Sequence, residues 1–218
     1  ASLVGSEMCI RDSAWAEELT VSPSGAVDEF RRKIARNDYP IMAIWEMGIR
    51  GLRVPIQDLE DEKTRRRMGL MRDVGHNFHV YVYDIPTVEQ ISLIRENTDL
   101  ISQLEIVISW DKIKEYTRVL NDLTNQFGLD IILSRVNRKD SAKTSGGKFN
   151  HLISHGFSLS ETGELSNFLS DNKHLVSGVQ FTITREDCPW KASELVQKFA
   201  NATGCKPYLY VKSTKASP

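Results

Sequence analysis

Three side chains in this sequence have the chemistry for proton transfer and fall where a strand would deliver them to a rim. Glu46 ends the apolar run 41–46, IMAIWE. A carboxylate there, partly desolvated, would have a raised pKa and serve as general base or acid; the plainer reading pairs it with Arg50 or Arg53 to hold the loop. Asp84 follows FHVYVY, a place for a base, a metal ligand or a helix cap. His155 lies in HLISHGFS. Its imidazole suits proton transfer near neutrality, and Gly156 lets a substrate approach the backbone, although a His in an apolar strand also serves as a hydrogen-bonded core residue. His151 precedes it by four. On a strand the two would share a face roughly 13 Å apart, too far for one metal ion, so no metal site is read.

Cations form the second group. Arg53, Arg135, Arg185 and Lys212 fall at the ends of four different expected strands, with Arg50 and Asn137 beside them. Convergent cations favour an anionic ligand such as a carboxylate, phosphate or sulfonate. Arg135, directly after the apolar IILS, is the most informative. The competing reading is a set of salt bridges with Glu46, Asp84, Asp111 and Glu186. A standard barrel phosphate grip uses glycine-rich loops after the last two strands, and TREDCPW has no glycine. Cys188 has no evident base beside it, which disfavours a nucleophile.

These residues need elements to carry them. The stretch 40–55, PIMAIWEMGIRGLRVP, reads as a buried strand spilling into a loop rich in Gly and Arg. Apolar, β-branched runs predict eight strands, over 18–22, 41–46, 78–83, 104–109, 129–134, 152–157, 178–184 and 207–212. Helical periodicity predicts helices over 27–37, 59–74, 87–101, 111–127, 161–170 and 189–203, with Gly75, Gly128 and Gly204 as stops and Pro189 in a first turn. Residues 138–148, RKDSAKTSGGK, read as a solvated loop; Gly146 and Gly147 would supply hinges if it closed over a ligand.

Bulk composition is that of an ordinary globular chain: 218 residues, 40% hydrophobic, 26% charged, net charge -1. That balance gives no nucleic-acid or membrane surface, and no apolar run approaches the roughly 20 residues of a bilayer span. Cys9, Cys188 and Cys205 form neither a disulfide framework nor a zinc site, which points to a reducing, cytoplasmic setting.

Strands alternating with helices imply parallel pairing through right-handed crossovers. Over residues 18–212 this pattern resembles the (β/α)8 TIM-barrel superfold, with no family identified within it and the last helix missing. The alternative is a doubly wound parallel sheet, but no G-x-G-x-x-G follows any strand; G-x-S-x-G and Walker loops are absent too. Residues 2–13, SLVGSEMCIRDS, resemble a translated sequencing adapter of metagenomic reading frames. They are set apart, leaving 14–218 as a single partial barrel domain, expected to be cut at both ends and part of a larger polypeptide. The resemblance implies function at the C-terminal ends of the strands. The expectation is an enzyme, a hydrolase or lyase, acting on a small polar or anionic molecule by acid/base chemistry. Glu46, His155 and Asp84 would be catalytic, and Arg50, Arg53, Arg135, Asn137, Arg185 and Lys212 would bind substrate. A glycoside hydrolase variant would draw on Asp84, Asp111 and Glu186. The other reading is a non-catalytic binding or scaffolding barrel. The cofactor is unknown.

Overall fold

A computed structural model describes residues 38–109, 113–136, 155–172, 174–184 and 186–211. Among them the chain runs α1 (Asp38–Glu46), β1 (Gly51–Pro55), α2 (Gln57–Glu60), α3 (Glu62–Asp73), β2 (Asn77–Tyr83), α4 (Val88–Glu96), β3 (Ile101–Ile108), α5 (Ile113–Phe127), β4 (Asp130–Arg135), a 3-10 turn (Leu159–Glu161), α6 (Thr162–Asp171), β5 (Gly178–Ile183), α7 (Pro189–Thr203) and β6 (Lys206–Val211). The six strands form one sheet in the order of the sequence, and every neighbouring pair is parallel. A doubly wound sheet reverses its strand order at a switch point. This order has no reversal, so that alternative is ruled out for these six strands.

The apolar run 41–46 is helix, not strand. A short apolar run fits either period, and the deciding signal is Gly48. It adopts φ 75° and ends α1, with the Ile49 amide donating to Ile44 O at 3.1 Å, a left-handed helix stop that favours glycine. Strand β1 is instead the segment that was read as a loop. Leu52 and Val54 are buried toward the helices, and Arg53 between them points to the other face. A charge in the middle of a five-residue strand hides its alternation. Residues 59–74 divide into α2 and α3, with Asp61 capping the second through its bond from the Thr64 amide. Helix α4 stops at Glu96, and Ile101 opens β3. Of residues 152–157, only 155–157 are described; His155 and Phe157 make isolated bridges. The expected strand 18–22, the loop 138–148 and the adapter-like segment lie outside the described residues.

The sheet has two unlike faces. Phe78, Val80, Val82, Leu104, Ile106, Ile108, Ile131, Leu133, Val179 and Phe181 project from one face into a continuous apolar core. Phe181 meets Phe199 of α7 edge-on, with 5.0 Å between ring centroids. The alternate residues of the same strands are largely polar or aromatic: Arg53, His79, Tyr81, Tyr83, Gln103, Glu105, Ser134, Gln180, Thr182 and Tyr208. That second face is concave. Gln103 Nε2 on β3 donates to the Tyr208 hydroxyl on β6 at 2.6 Å, although in a flat sheet these strands would lie three spacings of about 4.8 Å apart. Gly178 permits the curl: a Cβ there would stand 2.5 Å from Tyr208 Cε2 and 2.7 Å from Lys206 O.

Candidate functional site

The concave face buries an ion pair. Glu105, in the middle of β3, is 0% exposed. Its Oε2 accepts from Arg53 Nε on β1 at 2.6 Å, and His79 Nε2 on β2 lies 3.1 Å from the same oxygen. Period two puts them together: Arg53 registers with His79, and Tyr81 with Glu105. Burial pushes the Glu105 carboxyl up, but the Arg53 charge, with His79 beside it, outweighs that and holds the carboxyl well below the usual range. The Arg53 guanidinium also sits over the Tyr81 ring, 4.1 Å from its centroid, a cation–π contact in a desolvated setting.

His155 drops into this centre from above. Strands β4 and β5 pair only at Ile132–Gly178 and Leu133–Val179. Beyond that point residues 155–157 insert between them. The Gly156 amide donates to Arg135 O at 2.7 Å, and the Phe157 amide to Gln180 O at 2.9 Å. Thr182 Oγ1 donates to His155 O at 2.6 Å. Gly156 has φ 122°, and a Cβ on it would lie 2.8 Å from Phe181 C and Thr182 N, so both backbone conformation and space require glycine.

The His155 ring is held from both sides. Arg53 Nη2 meets Nδ1, and the Tyr83 hydroxyl meets Nε2 at 2.6 Å. A guanidinium only donates, so Nδ1 is the bare nitrogen, Nε2 carries the proton, and the Tyr83 oxygen accepts it. Burial first, and then the Arg53 charge, push the imidazole down to about 3 against an opposing pull from Glu105. His155 is therefore neutral at neutral pH. Tyr81 and Tyr83 flank its ring edge-on, at 5.2 and 5.1 Å between centroids.

No family model, curated protein or solved structure matches this chain. The site is thus described by its geometry alone. Among the described residues, no group of three or more His, Cys, Asp or Glu side chains could hold a metal ion, and no helix is long and apolar enough to cross a membrane.

The residues expected to form a site divide sharply. The structure brings Arg53 and His155 together at the centre. Glu46 is not at a strand end: it closes α1, exposed. Arg50 precedes β1, at the opposite end from the strand C-termini, and donates to Trp45 O at 2.8 Å while stacking on that ring. Asp84 is exposed, with φ 63°, and accepts from the next amide, Ile85, at 2.9 Å. Arg135 does end β4, but it pairs with Glu161 at 2.7 Å, a partner not among those anticipated. Glu161 in turn accepts from the Ser158 amide, so this pair anchors the segment that carries His155. Asn137, Arg185 and Lys212 lie outside the described residues. Glu105, His79 and Tyr83 were not singled out by sequence. Their signal was present: a lone carboxylate inside LEIVIS, and polar or aromatic residues at every second position of FHVYVY.

Proposed function

We propose that the chain forms the greater part of a (β/α)8-type barrel enzyme that acts on a small polar substrate by acid/base chemistry, with Tyr83 as the proton donor and His155 as the hydrogen-bond donor that stabilises the Tyr83 oxygen once its proton has left. The carrying observation is the buried Arg53–Glu105–His155 cluster beneath Tyr83. Barrel interiors are ordinarily filled by branched apolar side chains. Three ionisable groups there are expensive to desolvate, and apolar replacements of like volume are often neutral or stabilising. A protein that keeps such a cluster, with one imidazole fixed in a single tautomer, has the makings of a working site.

The chemistry follows from the hydrogen bonds. Tyr83 is half-buried at the C-terminal end of β2. When its phenol gives a proton to a substrate oxygen, the developing charge on its own oxygen is stabilised by His155 Nε2–H, with Arg53 behind it. Glu105 fixes Arg53. A lyase or hydrolase step needs such an acid.

The scaffold reading draws on two observations: Glu46 lies exposed on α1 while His155 is buried, and His155 is held by its neighbours. The triple variant Arg53→Met/Glu105→Leu/His155→Phe separates the two. If the cluster is kept for chemistry, the variant melts at or above the wild-type temperature. A variant that melts far lower would make the cluster a structural device and favour the scaffold.

A further inference from the structure

We infer that Arg135 is a positioning residue: it holds His155 in place beneath Tyr83 and does not itself meet a substrate in the concave centre. This rests on reading Tyr83 and His155 as a working pair, and it assigns what keeps the imidazole seated. Arg135 stands on the side of the sheet away from that centre. It registers with Ile108, which belongs to the helix-side core, and follows Leu133 of the same core by two. His155 lies on the concave side, against Arg53 and Tyr83. The sheet separates the two side chains, so Arg135 acts on His155 through the chain that carries it.

That connection is made at three consecutive residues. The Arg135 carbonyl accepts from the Gly156 amide at 2.7 Å. Its guanidinium covers the Phe157 ring, 6.0 Å from the centroid. Nη1 donates to Glu161 Oε1 at 2.7 Å, and Glu161 Oε2 accepts from the Ser158 amide at 2.7 Å. The side chains of this ion pair are only 12% and 11% exposed, so solvent screens it little. In a regular strand His155 and Phe157 would point the same way. Gly156, at φ 122°, breaks that alternation. Phe157 enters the helix-side core while His155 turns to the concave centre. The direction of the imidazole is set at this bend, and Arg135 grips the chain directly beyond it. Both ring contacts, Arg53 at Nδ1 and Tyr83 at Nε2, depend on that direction, because a hydrogen bond weakens steeply once its donor is turned away.

Long-range proton–nitrogen NMR of the imidazoles in the full chain tests this. His155→Gln assigns the signals by removing one of the five histidines. The wild type should show His155 as a single neutral tautomer with the proton on Nε2. In Arg135→Met the signals should move toward a tautomer average, and protonation should begin at least about one pH unit higher as the ring gains solvent. Arg135→Lys, which keeps the charge against Glu161, should restore most of the wild-type pattern. Met68→Ala, which opens a cavity at a fully buried position on α3, should lower the melting temperature and leave the His155 signals in place. If Arg135→Met does not fold, Glu161→Gln keeps an acceptor for the Ser158 amide, loses the ion pair and should move the same signals less. Wild-type His155 signals in the variant that is read, whatever its melting temperature, would make Arg135 a purely structural anchor; this overturns the inference and leaves the acid/base site standing. An equal change in Met68→Ala would reduce the effect to general loosening and overturn it too. A tautomer average in the wild type itself would count against both the inference and the proposed acid at Tyr83.

Discussion

The two faces of one sheet do opposite things with the same strands. In β2, Phe78, Val80 and Val82 enter the helix-covered core while His79, Tyr81 and Tyr83 line the concave side. In β3, Leu104, Ile106 and Ile108 face the helices, whereas Gln103 and Glu105 face inward. The first face is held by apolar burial, worth roughly 25 cal/mol per Å², and tolerates no gaps. The second is held by hydrogen bonds and charge pairing, which return little net stability once desolvation is subtracted. A sheet that spends much of one face this way, with Val107 and Ile132 as its buried apolar exceptions, depends on the other for its fold.

Substitutions on each face should therefore behave differently. On the core side, Phe181→Ala removes the ring that packs on Phe199 and should cost about 3–5 kcal/mol, read by chemical denaturation, with no rescue from any change on the concave side. On the concave side, Glu105→Leu should cost a similar 3–5 kcal/mol because it strands the Arg53 charge. Adding Arg53→Met should recover most of that loss, and a double-mutant cycle showing simple additivity would break the comparison. Gly156→Ala forces a Cβ into Phe181 and Thr182 at a positive φ, and should cost on the order of 1–3 kcal/mol. Loss of the His155–Tyr83 contact would appear as a changed imidazole NMR shift.

Acid sharpens the contrast further. The unfolded chain binds a proton at His155 near pH 6.5, the folded chain only near 3. The unfolded state thus holds more protons through that window, and stability should fall as pH drops across it. Glu105, also held low, extends the loss to more acidic conditions. His155→Gln should flatten the upper part of that profile, and an unchanged slope would mean that the imidazole is not kept neutral by burial. The smallest effect belongs to exposed Glu46: Glu46→Gln should shift stability by no more than about 0.5 kcal/mol.

Much of the apolar face was readable in advance. Runs such as FHVYVY and LDIILS place β2 and β4 within a residue or two, and Pro189 and Gly204 bound α7 as their backbone chemistry dictates. The concave face was harder, because its residues contradict the simplest strand pattern. Arg53 made GLRVP look like a loop, and Glu105 was not considered at all. The run 41–46 misled in the opposite sense, because an apolar hexamer has too few residues to reveal its period. Arg53 and His155 were found as candidates, yet their partners were not. Pairing across strands is set by register and curl, which no single segment encodes.

The short ladder between β4 and β5 has a consequence for motion. β3 and β4 are laddered from Gln103–Asp130 to Ile108–Arg135, and β5 and β6 from Gly178–Lys206 to Ile183–Val211. Between those two blocks the strand ladder runs only through Ile132–Gly178 and Leu133–Val179, with the Ser177 amide donating to Ile131 O just before it and Gln103 reaching Tyr208 across the concave side; the inserted residues 155–157 bridge the remainder. The sheet accordingly has a parting line, and cooperative opening there costs less free energy than melting either block. His155 rides on that line. The fluctuation that detaches the β5–β6 block is the same one that uncovers the ion pair, so amides of Gly156 and Phe157 would exchange with solvent ahead of those in the centre of β3.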